Sequence, residues 1–136
     1  MILNPFPELL ALSFFAPLLL RTMLGLWFVL TAMRHARRAE RDPIALELAA
    51  KIGAVGRIGL WPLMLGEGAL GVALIAGFYT QIAALLAGAY ALKLLFFRRI
   101  FPRLASESAW FYLLAAALSL SLLVLGAGAF AVDLPL

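Results

Sequence analysis

Four long apolar runs, separated by short charged or turn-forming stretches, constrain this chain more than any other feature. They extend over about Leu9–Met33, Ile58–Phe78, Gln81–Phe97 and Ala109–Val132. A helix needs about 20 mostly apolar residues to cross a hydrocarbon core about 30 Å thick. Inside that core no water is available to unpaired amides and carbonyls, so a helix that satisfies its own backbone is the natural solution. None of the runs alternates apolar and polar residues, which excludes a β-barrel. The balance of residue types agrees: 65% are hydrophobic and only 13% charged, against about 25% charged in a typical soluble chain. Lipid has to cover what the charges cannot. The expected fold is all-α, a single domain over residues 1–136 with four transmembrane helices in an antiparallel bundle.

The connections set the topology. Tyr79, Thr80 and Gln81 form a very short turn, so the second and third spans are expected to make an antiparallel hairpin. The first loop carries Arg34, Arg37, Arg38, Arg41, Lys51 and Arg57, and the third carries Arg98, Arg99 and Arg103. Both fall on one side of the membrane, and the other side, with Glu8 and Asp133, has no Lys or Arg. Cytoplasmic loops carry the basic excess, so both termini are expected outside. Trp61 and Trp110 open the second and fourth spans, where an interfacial aromatic belt belongs. Met1–Pro7 has no basic residue, and the apolar run after it is too long for a cleavable signal peptide. Within the first loop, Asp42-Pro43 reads as a helix start, and Ile44, Leu48, Ile52 and Val55 recur at helical spacing. This predicts a short amphipathic helix on the cytoplasmic interface, or else one that binds a partner.

Several function classes drop out. With no cysteine there is no disulfide framework, CxxC redox pair or thiolate metal site. The single histidine, His35, cannot alone supply a zinc site or paired haem ligands, and with Arg34, Arg37 and Arg38 around it reads as a solvated loop residue. No metal site is expected. The net charge of +4 follows from the loop arginines and lacks the aromatic interleaving of single-strand binders, so nucleic acid is not an expected partner.

Ionisable residues inside spans are expensive and normally pair or line a polar cavity. Here they are Arg21, Glu67 and Lys93. A turn centred at Thr80 would put Glu67 and Lys93 at equal depth and predicts that they interact; alternatively Lys93 snorkels to the headgroups. Arg21 has two placements. It is buried if the first helix runs unbroken from Leu9, and it reaches the outer headgroups if the helix starts at Pro17. Small residues spaced by four, Ala69–Ala73–Gly77, Ala83–Ala87–Ala91 and Ala115–Ser119, are the expected packing stripes. Glu67 lies between Gly66 and Gly68, which fits either an ion pair that fixes the bundle or a proton-linked or headgroup-binding carboxylate.

In the order of its motifs the chain resembles the DoxX family of small bacterial four-span membrane proteins. The resemblance covers nearly the whole length. It rests on Leu20-Arg21 with Leu24-Gly25-Leu26 and Phe28, on the run from Gly66-Glu67-Gly68 to Gly77-Phe78-Tyr79-Thr80, and on Gly126-Ala127-Gly128 leading to Asp133. Gln81, Ala131 and Thr31-Ala32 depart from the family pattern, so no role is carried to those positions. The resemblance implies a bacterial cytoplasmic membrane, association with membrane redox systems, and Arg21, Glu67 and Asp133 as the polar positions to test. Two functions follow as expectations. One is a membrane subunit of an oxidoreductase complex that anchors other membrane subunits and holds a quinone headgroup on Glu67, Tyr90 and Tyr112, with Arg21 nearby. The other is a purely structural accessory subunit of a respiratory or photosynthetic assembly. In neither does the chain carry a catalytic set of its own, and its basic cytoplasmic face could receive a soluble partner.

Overall fold

The computed structural model describes residue 13 and residues 15–132, and over these the chain is all-helical. Five helices follow one another: α1 (Phe15–Ala36), α2 (Arg38–Ile52), α3 (Ala54–Ala76), α4 (Thr80–Phe97) and α5 (Ala109–Leu125). Helices α1, α3 and α4 are long and apolar enough to cross a membrane. Helix α5 is apolar but has 17 residues, about 26 Å at 1.5 Å per residue. The expected start of the first span at Leu9 and the candidate Asp133 lie outside the described residues.

Packing does not follow chain order. Helix α1 lies chiefly on α3 and α4 on α5, whereas α3 and α4, joined by the short turn, touch over a much narrower strip. The α1–α3 contact is governed by two glycines. A Cβ on Gly25 would stand 2.7 Å from the carbonyl oxygen of Gly71, and a Cβ on Gly71 would stand 2.7 Å from that of Gly25. Neither backbone could come this close with a side chain in between, which is how helices gain contact where burial against lipid offers no drive. Gly68, one turn along α3, would meet only Ala32 Cβ at 3.7 Å. The small stripes expected on the third and fourth spans are buried as read, Ala83–Ala87–Ala91 against Ala115–Ser119. On α3 the expected stripe holds in part: Ala69 is exposed, Ala73 is half-buried and Gly77 is buried, while Gly71 is buried as well.

Helix α2 begins at Arg38, four residues ahead of the predicted Asp42-Pro43 start, and Pro43 lies inside it. Its Ile44 and Leu48 are buried with Leu60, Met64, Leu94, Leu104, Ala105 and Tyr112. The face expected to meet lipid or a partner is thus turned into the protein's own bundle. Ile52 and Val55 remain exposed because Gly53 breaks the stripe between α2 and α3. The segment between α4 and α5 closes over the same end. Arg34 pairs with Glu107 at 2.8 Å and the Arg103 amide donates to Glu47 at 3.3 Å. Both basic loops therefore sit together at one end of the helices.

At the opposite end α3 stops at Gly77, left-handed at φ 68°. The amides of Gly77 and Phe78 return to the carbonyls of Leu74 and Ala73. The fourth apolar run ends as helix at Leu125, not Val132, because Gly126 and Gly128 take positive φ and turn the chain back. Arg21 holds this returning segment. It is only 1% exposed, and its Nη1 and Nη2 donate to the carbonyls of Ala127 (3.1 Å) and Ala129 (2.8 Å). Val132 N donates to Ala76 O at 3.3 Å. Arg21 is buried even though α1 starts at Phe15, and it donates to backbone carbonyls of the returning segment.

Two outcomes follow. Gly71→Ala should lower the thermal midpoint of the detergent-solubilised protein, by about 1–3 kcal/mol of overpacking, while Gly68→Ala should leave it unchanged. Arg21→Met should speed hydrogen exchange at the Val132 amide by mass spectrometry, with the amides of α4 remaining protected.

Candidate functional site

Residues spaced by three or four along α1 share one face, and the buried set Arg21, Leu24, Gly25, Phe28, Thr31 and His35 is that face. It runs down the Gly25–Gly71 contact to the last turn of α1, so His35 reaches the interior while Ala36, Arg37 and Arg38 point outward. The solvated-loop expectation for His35 is therefore wrong: the residue is helical and 1% exposed. Side chains lean towards the N-terminus of their own helix. Because α1 and α3 are antiparallel, His35 and Glu67 lean towards each other. His35 Nδ1 stands 2.9 Å from Glu67 Oε2, and the Tyr90 hydroxyl from α4 donates to Oε1. Glu67 is itself 1% exposed. Each carboxylate oxygen is thus engaged by a different helix, and three helices are tied at one point.

Glu67 and Lys93 form no ion pair or hydrogen bond among the described residues. The turn centres on Phe78–Tyr79, since α4 already begins at Thr80, and this shift brings Tyr90 rather than Lys93 level with Glu67. Lys93 Nζ lies instead over the Tyr90 ring, 4.6 Å from its centroid, and both side chains are half-buried. Tyr112 is buried in the core on which Tyr90 packs, and its hydroxyl accepts from the Glu107 amide at 3.2 Å. Of the three headgroup candidates, Glu67 and Tyr90 are hydrogen bonded to each other, and the Tyr112 hydroxyl is engaged at Glu107. Arg21 belongs to the opposite end, held at Ala127 and Ala129.

The cluster sits where two apolar cores meet. One contains Leu24, Phe28, Leu74 and the α4 alanines, and the other contains Ile44, Leu60, Met64 and Leu94; Trp27 and Tyr90 pack on both. Aromatic edges wall it, with Trp27–Phe28 centroids 4.7 Å apart and Phe28–Tyr90 5.6 Å apart. One atom stays unmatched. His35 Nε2 is buried with no hydrogen-bond partner among the described residues, a condition that costs about 1–3 kcal/mol. Sequence reasoning missed His35 although the signal was present in its spacing from Phe28 and Thr31.

Compared with known proteins, the chain matches no family model, no curated protein and no solved structure. What fold and site define is an all-helical protein with three helices able to cross a bilayer and a buried His–Glu–Tyr cluster between them.

Removing the carboxylate should be costly. Glu67→Ala leaves the His35 and Tyr90 donors unpaired and should destabilise the solubilised protein by about 1–3 kcal/mol. Lys93→Met, which loses a half-buried cation–π contact, should cost about 0.5–1 kcal/mol. A His35→Ala/Glu67→Ala cycle, read by chemical denaturation, should show coupling of about 0.5–3 kcal/mol.

Proposed function

We propose that the chain is a four-span membrane subunit of an oxidoreductase assembly, the association implied by its resemblance to DoxX proteins. In this reading α5 is the fourth crossing, the basic end faces the cytoplasm and both termini lie outside. Exposed Trp61 and Trp110 at the basic end support the membrane placement, as they suit a headgroup-level aromatic belt. The unmatched His35 Nε2 beside a carboxylate carries the functional reading. A purely architectural polar knot has no use for an unsatisfied buried nitrogen, and such an atom in a native bundle calls for an explanation. A neutral imidazole that gives its Nδ1 proton to Glu67 presents Nε2 as an acceptor, so this is the place for a quinol hydroxyl to donate. A bound quinone would supply the redox chemistry, with electrons drawn from a partner subunit. The chain's own part is to orient the headgroup from His35, keep the imidazole fixed through Glu67, and hold an exchangeable proton on the Tyr90 hydroxyl.

A structural accessory role is the second reading, and one observation favours it: both oxygens of Glu67 are already engaged inside the bundle. The two readings part on activity. In the complex purified from native membrane, Glu67→Gln should lower quinone reduction at least roughly tenfold, the equivalent of one charge-assisted hydrogen bond, with subunit stoichiometry unchanged. Full activity of Glu67→Gln in an intact complex, with no quinone extractable from it, would leave only the accessory role.

A further inference from the structure

The basic end contains a feature that the His35–Glu67–Tyr90 cluster does not use. A cleft of about 450 Å³ opens between α2 and the segment joining α4 to α5, lined by Glu40, Pro43, Ile44, Pro102, Arg103 and Ser106. Its floor is apolar and stiff: Ile44 is 1% exposed, and each proline locks its own φ. Its rim is charged in both senses. Glu40 and Arg103 are exposed, and neither side chain has an ionic partner among the described residues. The Arg103 amide is bound to Glu47, which fixes the segment against α2 while the guanidinium stays available.

A carboxylate, a guanidinium and a hydroxyl around one apolar floor complement a ligand that carries an ammonium, a phosphate and hydrocarbon together. The cleft also lies at the right level. Phe96 and Ile100, close to Pro102 in the chain, are exposed apolar side chains at the end of α4, so the edge of the lipid-facing belt is beside it. We propose that this cleft binds the headgroup of phosphatidylethanolamine. Arg103 and Ser106 take the phosphate, the guanidinium matching two of its oxygens, and Glu40 takes the primary ammonium. The acyl chains run down past Ile100 and Phe96.

The choice among lipids follows from Glu40. This end of the sequence bears nine basic residues and four acidic ones, Glu40, Asp42, Glu47 and Glu107, and such a face draws anionic lipids without a specific site. A carboxylate on the cleft rim opposes an anionic headgroup there. It also separates ethanolamine from choline, because a quaternary ammonium has no N–H to donate. The inference rests on the membrane placement in the proposed function and not on quinone binding.

Native mass spectrometry tests it on the full chain, extracted from vesicles holding equal amounts of phosphatidylethanolamine, phosphatidylcholine and phosphatidylglycerol. The wild type should retain ethanolamine lipid over choline lipid by roughly tenfold, the effect of one charge-assisted hydrogen bond. Glu40→Gln should abolish that preference and raise retained phosphatidylglycerol, and Arg103→Gln should lower retention of both zwitterionic lipids. Both residues are exposed, so the variants should match wild type in size-exclusion elution and circular dichroism. Equal retention of the two zwitterions, an ethanolamine preference that survives Glu40→Gln, or dominant phosphatidylglycerol binding that disappears in high salt would overturn the site. Release of the chain from membranes by alkaline carbonate would instead overturn the membrane placement, and the site with it.

Discussion

A carboxylate placed among apolar helices has no water to solvate it, and it persists only where donors are brought to both of its oxygens. Glu67 imposes that requirement here. His35 from α1 and Tyr90 from α4 meet it, so the relative rotation and depth of three helices are set by one side chain. The two apolar cores do not have this directional character. Only the close backbone approach at Gly25 and Gly71 adds a comparable constraint on register. The side-chain rows that reach the cluster, Leu24–Phe28–His35 on α1 and Leu60–Met64–Glu67 on α3, are continuous with those cores.

The remaining polar contacts work at a distance from this point and serve the two ends. Where α1 and α3 cross, Gly25 and Gly71 bring the backbones together, and this closeness is what lets His35 reach Glu67 about four helical turns along α1 from Arg21. Arg21 closes one end by gathering the carbonyls of the returning segment. Arg34, next in sequence to His35, closes the other through Glu107. The last turn of α1 therefore joins the buried cluster to the basic end through two adjacent residues that point in different directions.

Much of the architecture was legible because hydropathy is a strong signal over long windows. Each apolar run holds a helix over its described residues, the fourth only as far as Leu125, and the α4–α5 interface could be read from Ala83–Ala87–Ala91 and Ala115–Ser119. What was misread depended on registers of a few residues. A turn centred one or two positions earlier than expected exchanged Lys93 for Tyr90 as the partner of Glu67. His35 was obscured by the charge of its sequence neighbours, although helical spacing places Arg37 and Arg38 away from its face. Gly66, Gly68 and Gly71 could not be ranked, since which glycine meets a neighbouring backbone depends on the rotation of α3, and the composition of that helix leaves its rotation open. Asp42-Pro43 resembled a start signal, but the helix begins upstream at Arg38, and Pro43 lies in its second turn at the cost of one backbone hydrogen bond. The engagement of the Tyr112 hydroxyl by the Glu107 amide is a loop contact that no periodicity encodes.

Because His35 is the only histidine in the chain, its imidazole can be observed without interference. Nitrogen NMR of the detergent-solubilised protein carrying ¹⁵N-labelled histidine tests the Glu67 cluster most directly. The structure predicts a single imidazole whose Nδ1 proton exchanges slowly with water, and whose signal shifts in Glu67→Gln and, to a smaller extent, in Tyr90→Phe. A rapidly exchanging imidazole with the shifts of free histidine, unchanged by Glu67→Gln, would contradict it.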